Sequence, residues 1–159
     1  MYLNGPFRGL LSHCQMSDLL QFPADAVANS NNHVSVQALW DNLRASIPCA
    51  RVAGQVGYRD SETGKYGGTY VDEYTLNVVL DGQQLCLAFK FELGGPFGEE
   101  VSHTVYYSVQ SCSLKGTIEV FELSARCSKQ WTLEGELAAV EAAARQIVSE
   151  LVKHQLILA

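Results

Sequence analysis

Residues 74–89 read YTLNVVLDGQQLCLAF, and this stretch decides the fold. Apolar and polar residues alternate on both sides of Asp81-Gly82, which is the pattern of two half-buried β-strands. Asp-Gly favours the positive backbone φ angles of a type I′ hairpin turn, and such a turn sets Leu80 opposite Gln83. This register places apolar pairs on one face of the hairpin: Tyr74 with Phe89, Leu76 with Leu87, and Val78 with Leu85.

The other face of the hairpin supports the same register. It brings Glu73 opposite Lys90, and an opposite-charge pair across two strands contributes roughly 0.2–1 kcal/mol. A slip of one residue would separate this pair and move every apolar side chain to the other face. The sequence therefore predicts one specific pairing.

The alternation extends outward from this hairpin on both sides. It predicts five strands, at residues 50–59, 69–80, 83–93, 101–111 and 117–126. A long polar segment at residues 60–68 and the turn-forming residues 94–98 separate neighbouring strands. The strands therefore form an antiparallel meander of hairpins.

Two helices flank the strands. A helix at about 34–47 is indicated by apolar residues at helical spacing and ends before Pro48. A longer helix at about 133–156 has Thr132 as its N-cap and Glu134 and Glu136 in its first turn, where the helix dipole favours acids. Layer rules then predict one α+β domain over residues 1–159, with both helices packed on one face of a five-stranded antiparallel sheet.

The charge of the chain excludes some classes of partner. The chain has 159 residues with 17 acids and 11 Lys plus Arg, a net charge of -6, and no cluster of basic residues. Nucleic-acid binding leaves such a cluster, so we expect no nucleic-acid partner and no anionic membrane partner. No apolar run approaches the roughly 20 residues of a membrane-spanning helix, and residues 1–15 lack an export signal.

The cysteines and the missing motifs limit the kinds of metal, cofactor and catalytic site that we expect. The five cysteines are odd in number and scattered, which favours free thiols in the cytoplasm and no structural metal. The chain has no phosphate-binding loop, dinucleotide fingerprint, nucleophile elbow or zinc-protease motif. We therefore expect no cofactor, and a non-enzymatic protein is favoured.

His103 is the one local anomaly, because alternation places it on the apolar face of strand 101–111. A turn centred on Leu114-Lys115 would pair Tyr107 with Glu122. His103, Tyr107 and Glu122 would then line a cavity between the sheet and the last helix, where burial can adapt a histidine for acid-base work. The alternative is a core histidine whose hydrogen bonds are satisfied within the protein.

Two hypotheses for the function follow. The first is an acidic, homodimeric protein-interaction module, whose candidate partner-binding residues are Tyr66, Tyr70, Glu99, Glu100 and Trp131. The second is a small-molecule-binding domain for an apolar ligand, with or without catalysis, whose site is the His103 cavity. The predicted layout is similar to that of secretion chaperones and immunity proteins, which implies protein binding, and to that of helix-grip ligand carriers, which implies a cavity.

Overall fold

A computed structural model describes residues 19–26, 30–64, 68–95, 100–124 and 130–158. It contains two helices, α1 (Ser30–Ser46) and α2 (Leu133–Lys153), and a short 3-10 turn at Ala24–Ala26. Between the helices lie six strands: β1 (Arg51–Val52), β2 (Gly57–Thr63), β3 (Thr69–Val79), β4 (Gln84–Gly94), β5 (Glu100–Val109) and β6 (Lys115–Leu123).

The strands form one antiparallel sheet in the order β1-β3-β4-β5-β6, with β2 also paired to β3. The predicted hairpin register is confirmed: Tyr74 lies opposite Phe89, and Glu73 lies opposite Lys90. The turn differs from the prediction in one detail. Gly82 has a positive φ of 78°, but Asp81 does not, so the turn is not of type I′.

The first predicted strand is split into β1 and β2. Continuing the pairing of Val52 with Val78 would place Gly57 opposite Glu73, whereas Gly57 lies opposite Thr75. Gly54 lies between the two pieces with a φ of 80°, a conformation that glycine adopts without strain. β2 also continues to Thr63, four residues into the segment predicted as a loop.

Both helices pack on the same face of the sheet, as predicted, and we call this the inner face. α1 begins at Ser30, four residues before the prediction. Asn32 therefore lies in its first turn, where the side-chain amide donates to Asp72 of β3 at 3.4 Å. The Thr132 cap of α2 is confirmed, since its hydroxyl accepts from the amide of Gly135 at 3.0 Å. Among the described residues, neither helix has the combination of length and apolar character needed to cross a membrane.

The inner face is built from rows of residues that lie opposite one another on successive strands. The last inner-face row at one end of the sheet, which we call the terminal row, comprises Glu62, Tyr70, Leu93, Val101 and Leu123. The second row comprises Asp60, Asp72, Phe91, His103 and Phe121. Later rows form the core with α1 and α2, and the side chains of Trp40, Tyr74 and Phe89 are fully buried there.

The last hairpin has a different register from the one predicted. The amide of Val109 donates to the carbonyl of Leu114, so the turn lies at residues 110–113 rather than at Leu114-Lys115. Tyr107 lies opposite Gly116, and Glu122 lies opposite Ser102. The predicted pairing of Tyr107 with Glu122 is therefore wrong.

The close packing of Tyr107 on Gly116 gives a prediction. A Cβ atom at residue 116 would overlap the phenol ring of Tyr107, so we expect Gly116→Ala to lower the free energy of unfolding by about 1–3 kcal/mol. Gly57→Ala is the control, because its Cβ would lie 3.4 Å from that of Thr75, an ordinary contact. Urea denaturation measures both variants, and equal losses would contradict this account of the register.

Candidate binding site at the helix-start end

A buried carboxylate joins the start of both helices to the sheet. Glu136 lies in the first turn of α2, where an exposed acid would already be favoured by the helix dipole. Instead, the residue is only 3% exposed. An unpaired charge in such a place costs several kcal/mol, so the surroundings of Glu136 must supply hydrogen bonds.

Three donors from three parts of the chain meet this carboxylate. Ser35 of α1 donates its hydroxyl to Oε2, and His103 of β5 donates from Nδ1 to Oε1. The indole Nε1 of Trp131, just before α2, donates to Oε1 at 2.7 Å. We call Glu136, Ser35, His103 and Trp131 the carboxylate cluster.

The cluster keeps the carboxylate ionised. Burial alone raises the pKa of Glu136, but the hydrogen bonds from His103, Ser35 and Trp131 and the charge of His103 outweigh it, so the pKa lies below its usual range. An ionised carboxylate requires a proton on the facing Nδ1 of His103. While the imidazole is neutral, its other nitrogen, Nε2, is then a hydrogen-bond acceptor.

The order of these groups differs from that of a nucleophilic triad. In a triad the histidine lies between the hydroxyl and the carboxylate and takes the hydroxyl proton. Here the carboxylate lies between Ser35 and His103, and Ser35 is fully buried. Ser35 is therefore not activated for attack, and the cluster positions His103 and the two helix starts.

His103 also borders a small hollow in the second row. Its ring contacts Phe91 edge-on, with centroids 4.8 Å apart, and lies 5.5 Å from Phe121. The hollow has a volume of about 200 Å³ and is lined by Asn32, Tyr70, Asp72, Phe91, Glu92, Leu93, Val101 and His103. The Asp72 carboxylate accepts from the hydroxyl of Tyr58 at 2.9 Å as well as from Asn32.

The terminal row lies beyond the first turns of both helices, so neither helix covers its inner face. α1 and α2 begin over the second row, where Asn32 contacts Asp72 and Glu136 contacts His103. Tyr70 and Leu93, one row further out, are therefore 52% and 42% exposed. Trp131 and Leu133 at the start of α2 are exposed at the same end of the sheet, which we call the helix-start end because both helices begin there. Three strand spacings of about 4.8 Å separate β3 from β6, so the terminal row is about 15 Å long between these strands.

The sequence-predicted site residues divide into separate groups. His103, Tyr70 and Trp131 come together at the helix-start end, and Glu100, exposed at the start of β5, lies opposite Gly94 next to the terminal row. Tyr107 lies in the fourth row beside Gly116. Glu122 lies on the outer face, because its partner Ser102 alternates with His103. Tyr66 and Glu99 lie outside the described residues.

Three residues of the site were not predicted from the sequence. Glu136 was assigned a role at the helix dipole, and Asp72 and Leu93 were assigned none. The hairpin register did carry a signal, because extending it past Tyr74 and Phe89 pairs Asp72 with Phe91 and Tyr70 with Leu93. Helical spacing also carried a signal for Glu136, which lies four residues before Val140 on the buried stripe of α2.

Comparisons with known proteins assign no family to this chain. No protein-family model matches it, and comparison with curated proteins and with solved structures gave no significant match. Within the described residues, no group of three or more His, Cys, Asp or Glu side chains is arranged to hold a metal ion. The function must therefore be inferred from the site itself.

The carboxylate cluster predicts that removing the charge of Glu136 lowers the stability of the protein strongly. Glu136→Gln keeps the shape of the side chain but removes the charge that faces His103. We expect the free energy of unfolding to fall by about 3 kcal/mol, as when one partner of a buried pair is removed. Glu134→Gln, exposed in the same helical turn, should cost only about 0.3–1 kcal/mol. Similar losses in chemical denaturation would contradict the burial of this charge.

The lowered pKa of Glu136 predicts a dependence on pH. The unfolded chain binds the proton near the ordinary value of 4.5, and the folded protein binds it only at lower pH. The stability contributed by this group is therefore fully present above about pH 4.5 and is lost as the pH falls through the folded pKa. The stability difference between the wild type and Glu136→Gln should shrink from about pH 6 to about pH 3. A constant difference would rule out this linkage.

Proposed function

We propose that this protein is a protein-interaction module that binds its partner at the helix-start end of the sheet. The observation that carries the proposal is the exposed apolar surface formed by Tyr70, Leu93, Trp131 and Leu133 around the carboxylate cluster. Aromatic residues on a rigid support are the usual anchors of protein interfaces.

The support beneath this surface reduces the cost of binding. Trp131 is held by its hydrogen bond to Glu136, and Tyr70 lies on β3 between two paired strands. Side chains that are already ordered lose less conformational entropy when a partner docks. An apolar surface that is both exposed and ordered is better explained by binding to another protein than by a role in solubility alone.

The second hypothesis, a small-molecule site, has one observation in its favour. His103 does border a hollow, but the volume of about 200 Å³ is below the roughly 300–1,000 Å³ of ordinary ligand pockets. Tyr107 and Glu122 do not reach this hollow, since one lies two rows away and the other on the outer face. The hollow suits a single side chain of a partner better than a whole apolar ligand.

The proposal includes the cytoplasm as the site of action. Cys49, Cys86 and Cys112 are free, and Cys49 and Cys112 are exposed. Exposed free thiols persist in a reducing compartment. The partner is another protein, and a second copy of this chain is one form that the partner can take.

A photo-crosslinker tests the location of the interface. The residue p-benzoyl-phenylalanine replaces Tyr70 in one variant and Val79 in a control variant. Val79 is also an exposed apolar strand residue, but it lies at the opposite end of β3. We expect irradiation in the expressing cells to give discrete adducts at residue 70 and none at residue 79.

A second substitution checks that the adduct depends on this surface. Leu93 lies directly opposite Tyr70, and Leu93→Ser in the residue 70 variant should reduce the adduct severalfold while circular dichroism stays unchanged. An adduct of twice the chain mass from purified protein identifies a second copy as the partner. Equal crosslinking at residues 70 and 79, or none at residue 70, would refute the proposed interface.

A further inference from the structure

The two edge strands of the sheet differ in how they are protected against pairing with another strand. Among the described residues, β2 and β6 each pair with a neighbouring strand on one side only. β2 places Asp60 and Glu62 on the inner face, and inward-pointing charges at an edge prevent another strand from continuing the sheet. β6 has Gly116, Ile118 and Phe121 on that face instead. A strand added to β6 would therefore extend the apolar inner face.

The backbone of β6 is oriented for such pairing over residues 115–119. The amide of Val109 donates to the carbonyl of Leu114, and hydrogen-bonded pairs alternate with non-bonded pairs along an antiparallel ladder. Every second residue from Leu114 to Ile118 therefore bonds to β5. The residues between and after them direct their N–H and C=O groups away from β5: Lys115, Thr117 and Glu119. The bulge at Val120 ends this regular stretch.

Helix α2 leaves this edge accessible from the inner face. A hollow of about 260 Å³ separates residues 119–122 of β6 from the first turns of α2. Gly135 and Ala139 line it from the helix, and both residues are small. α2 therefore stands back from the edge, and a second helix in the same layer has room to pack at the usual distance of about 8–10 Å.

The charges of β6 indicate which strand fits this edge. Lys115 and Glu119 are exposed on the outer face. If two copies pair antiparallel about a twofold axis at Thr117, Lys115 of each copy lies opposite Glu119 of the other. An axis at residue 115 or 119 would set like charges opposite one another, and an axis at residue 116 or 118 would pair neither charge. The edge is therefore self-complementary in one register.

The neighbouring groups are compatible with that register. Glu119 also has an interaction within its own chain, but an ionised carboxylate has about four acceptor positions and can receive a second donor. On the inner face, Ile118 of one copy would lie opposite Gly116 of the other. The phenol of Tyr107 lies over Gly116, so the side chain of Ile118 would pack against that ring.

We propose that two copies of this chain pair through β6, antiparallel and with Thr117 on the twofold axis, so that their sheets form one continuous sheet. This inference goes beyond the proposed function, because residues 115–119 are distinct from the surface around Tyr70. Antiparallel pairing points the helix-start ends of the two copies in opposite directions. The dimer thus presents two separate surfaces to its partners.

Analytical ultracentrifugation of the full-length protein measures this pairing, and charge variants test its register. Lys115→Glu and Glu119→Lys each set like charges opposite one another twice in the dimer, so we expect each to raise the dissociation constant about tenfold. The double variant exchanges the two charges and should return to within about threefold of the wild type. Glu62→Lys is the control, because it makes the same change at an exposed position of the other edge strand, and it should leave the constant unchanged.

Thr117→Pro tests the backbone contact separately from the charges. It removes an N–H that is directed away from β5, and proline is tolerated at such a position of an edge strand. We expect the dimer to be lost while circular dichroism stays unchanged. Thr117→Ala keeps the N–H and should keep the dimer.

The outcomes separate this interface from the surface around Tyr70. A wild type that is monomeric at every soluble concentration would overturn the proposal, as would a double variant that pairs no better than the single variants. A dimer that is weakened by Leu93→Ser but not by Lys115→Glu would place the second copy on the Tyr70 surface. That result would refute pairing through β6 and support the proposed function.

Discussion

The buried carboxylate of Glu136 is the interaction on which the arrangement of this protein depends. Removing its charge from water is costly, and among the described residues the donors from Ser35, His103 and Trp131 offset that cost. These donors belong to α1, to β5 and to the segment before α2. The hydrogen bonds are satisfied together only when both helices start over the second row of the sheet.

The exposed surface is a consequence of that constraint. Because the helices start one row inside the end of the sheet, the inner face of the terminal row has no helix above it, and Tyr70 and Leu93 remain exposed. Large apolar side chains left together at the surface of a stable protein are a common mark of an interaction site. The same polar cluster that holds the helices thus creates the uncovered surface next to it.

The sequence predicted the parts of the fold that follow local patterns. The Asp81-Gly82 hairpin and the Thr132 cap carry strong local signals, and both are confirmed, although the turn type is not. The register of β6 was mispredicted because the last turn lies at residues 110–113 rather than at Leu114-Lys115. A bulge between His103 and Thr104 also shifts the pairing by one residue, so that Val120 is an extra residue in the strand. The extra residue of such a bulge interrupts the alternation of apolar and polar residues along the strand. A count by twos then assigns apolar residues to both faces of the strand.

The candidate site was predicted only in part for a related reason. His103 was recognised because it interrupts an apolar face, whereas Tyr70 was chosen as part of a group of tyrosines and Trp131 as an aromatic residue just before the last helix. Glu136 was not, because an acid in the first turn of a helix already has an ordinary explanation in the helix dipole. Its burial depends on α1, whose Ser35 lies 101 residues away in the chain. No local pattern reports a contact at that separation.

The outer face of the sheet offers a weaker surface than the helix-start end. It has an open hollow of about 570 Å³ beside Tyr106, but the Lys90 ammonium lies 5.1 Å from the centre of that ring and brings a solvated charge onto it. Most of the residues around it are small: Thr75, Cys86, Ala88, Ser108, Gly116 and Thr117. Interface anchors are large, rigid and poorly solvated. The terminal row and the start of α2 meet that description with Tyr70, Leu93 and Trp131, so the end of the sheet rather than its open face is where a partner gains most by docking.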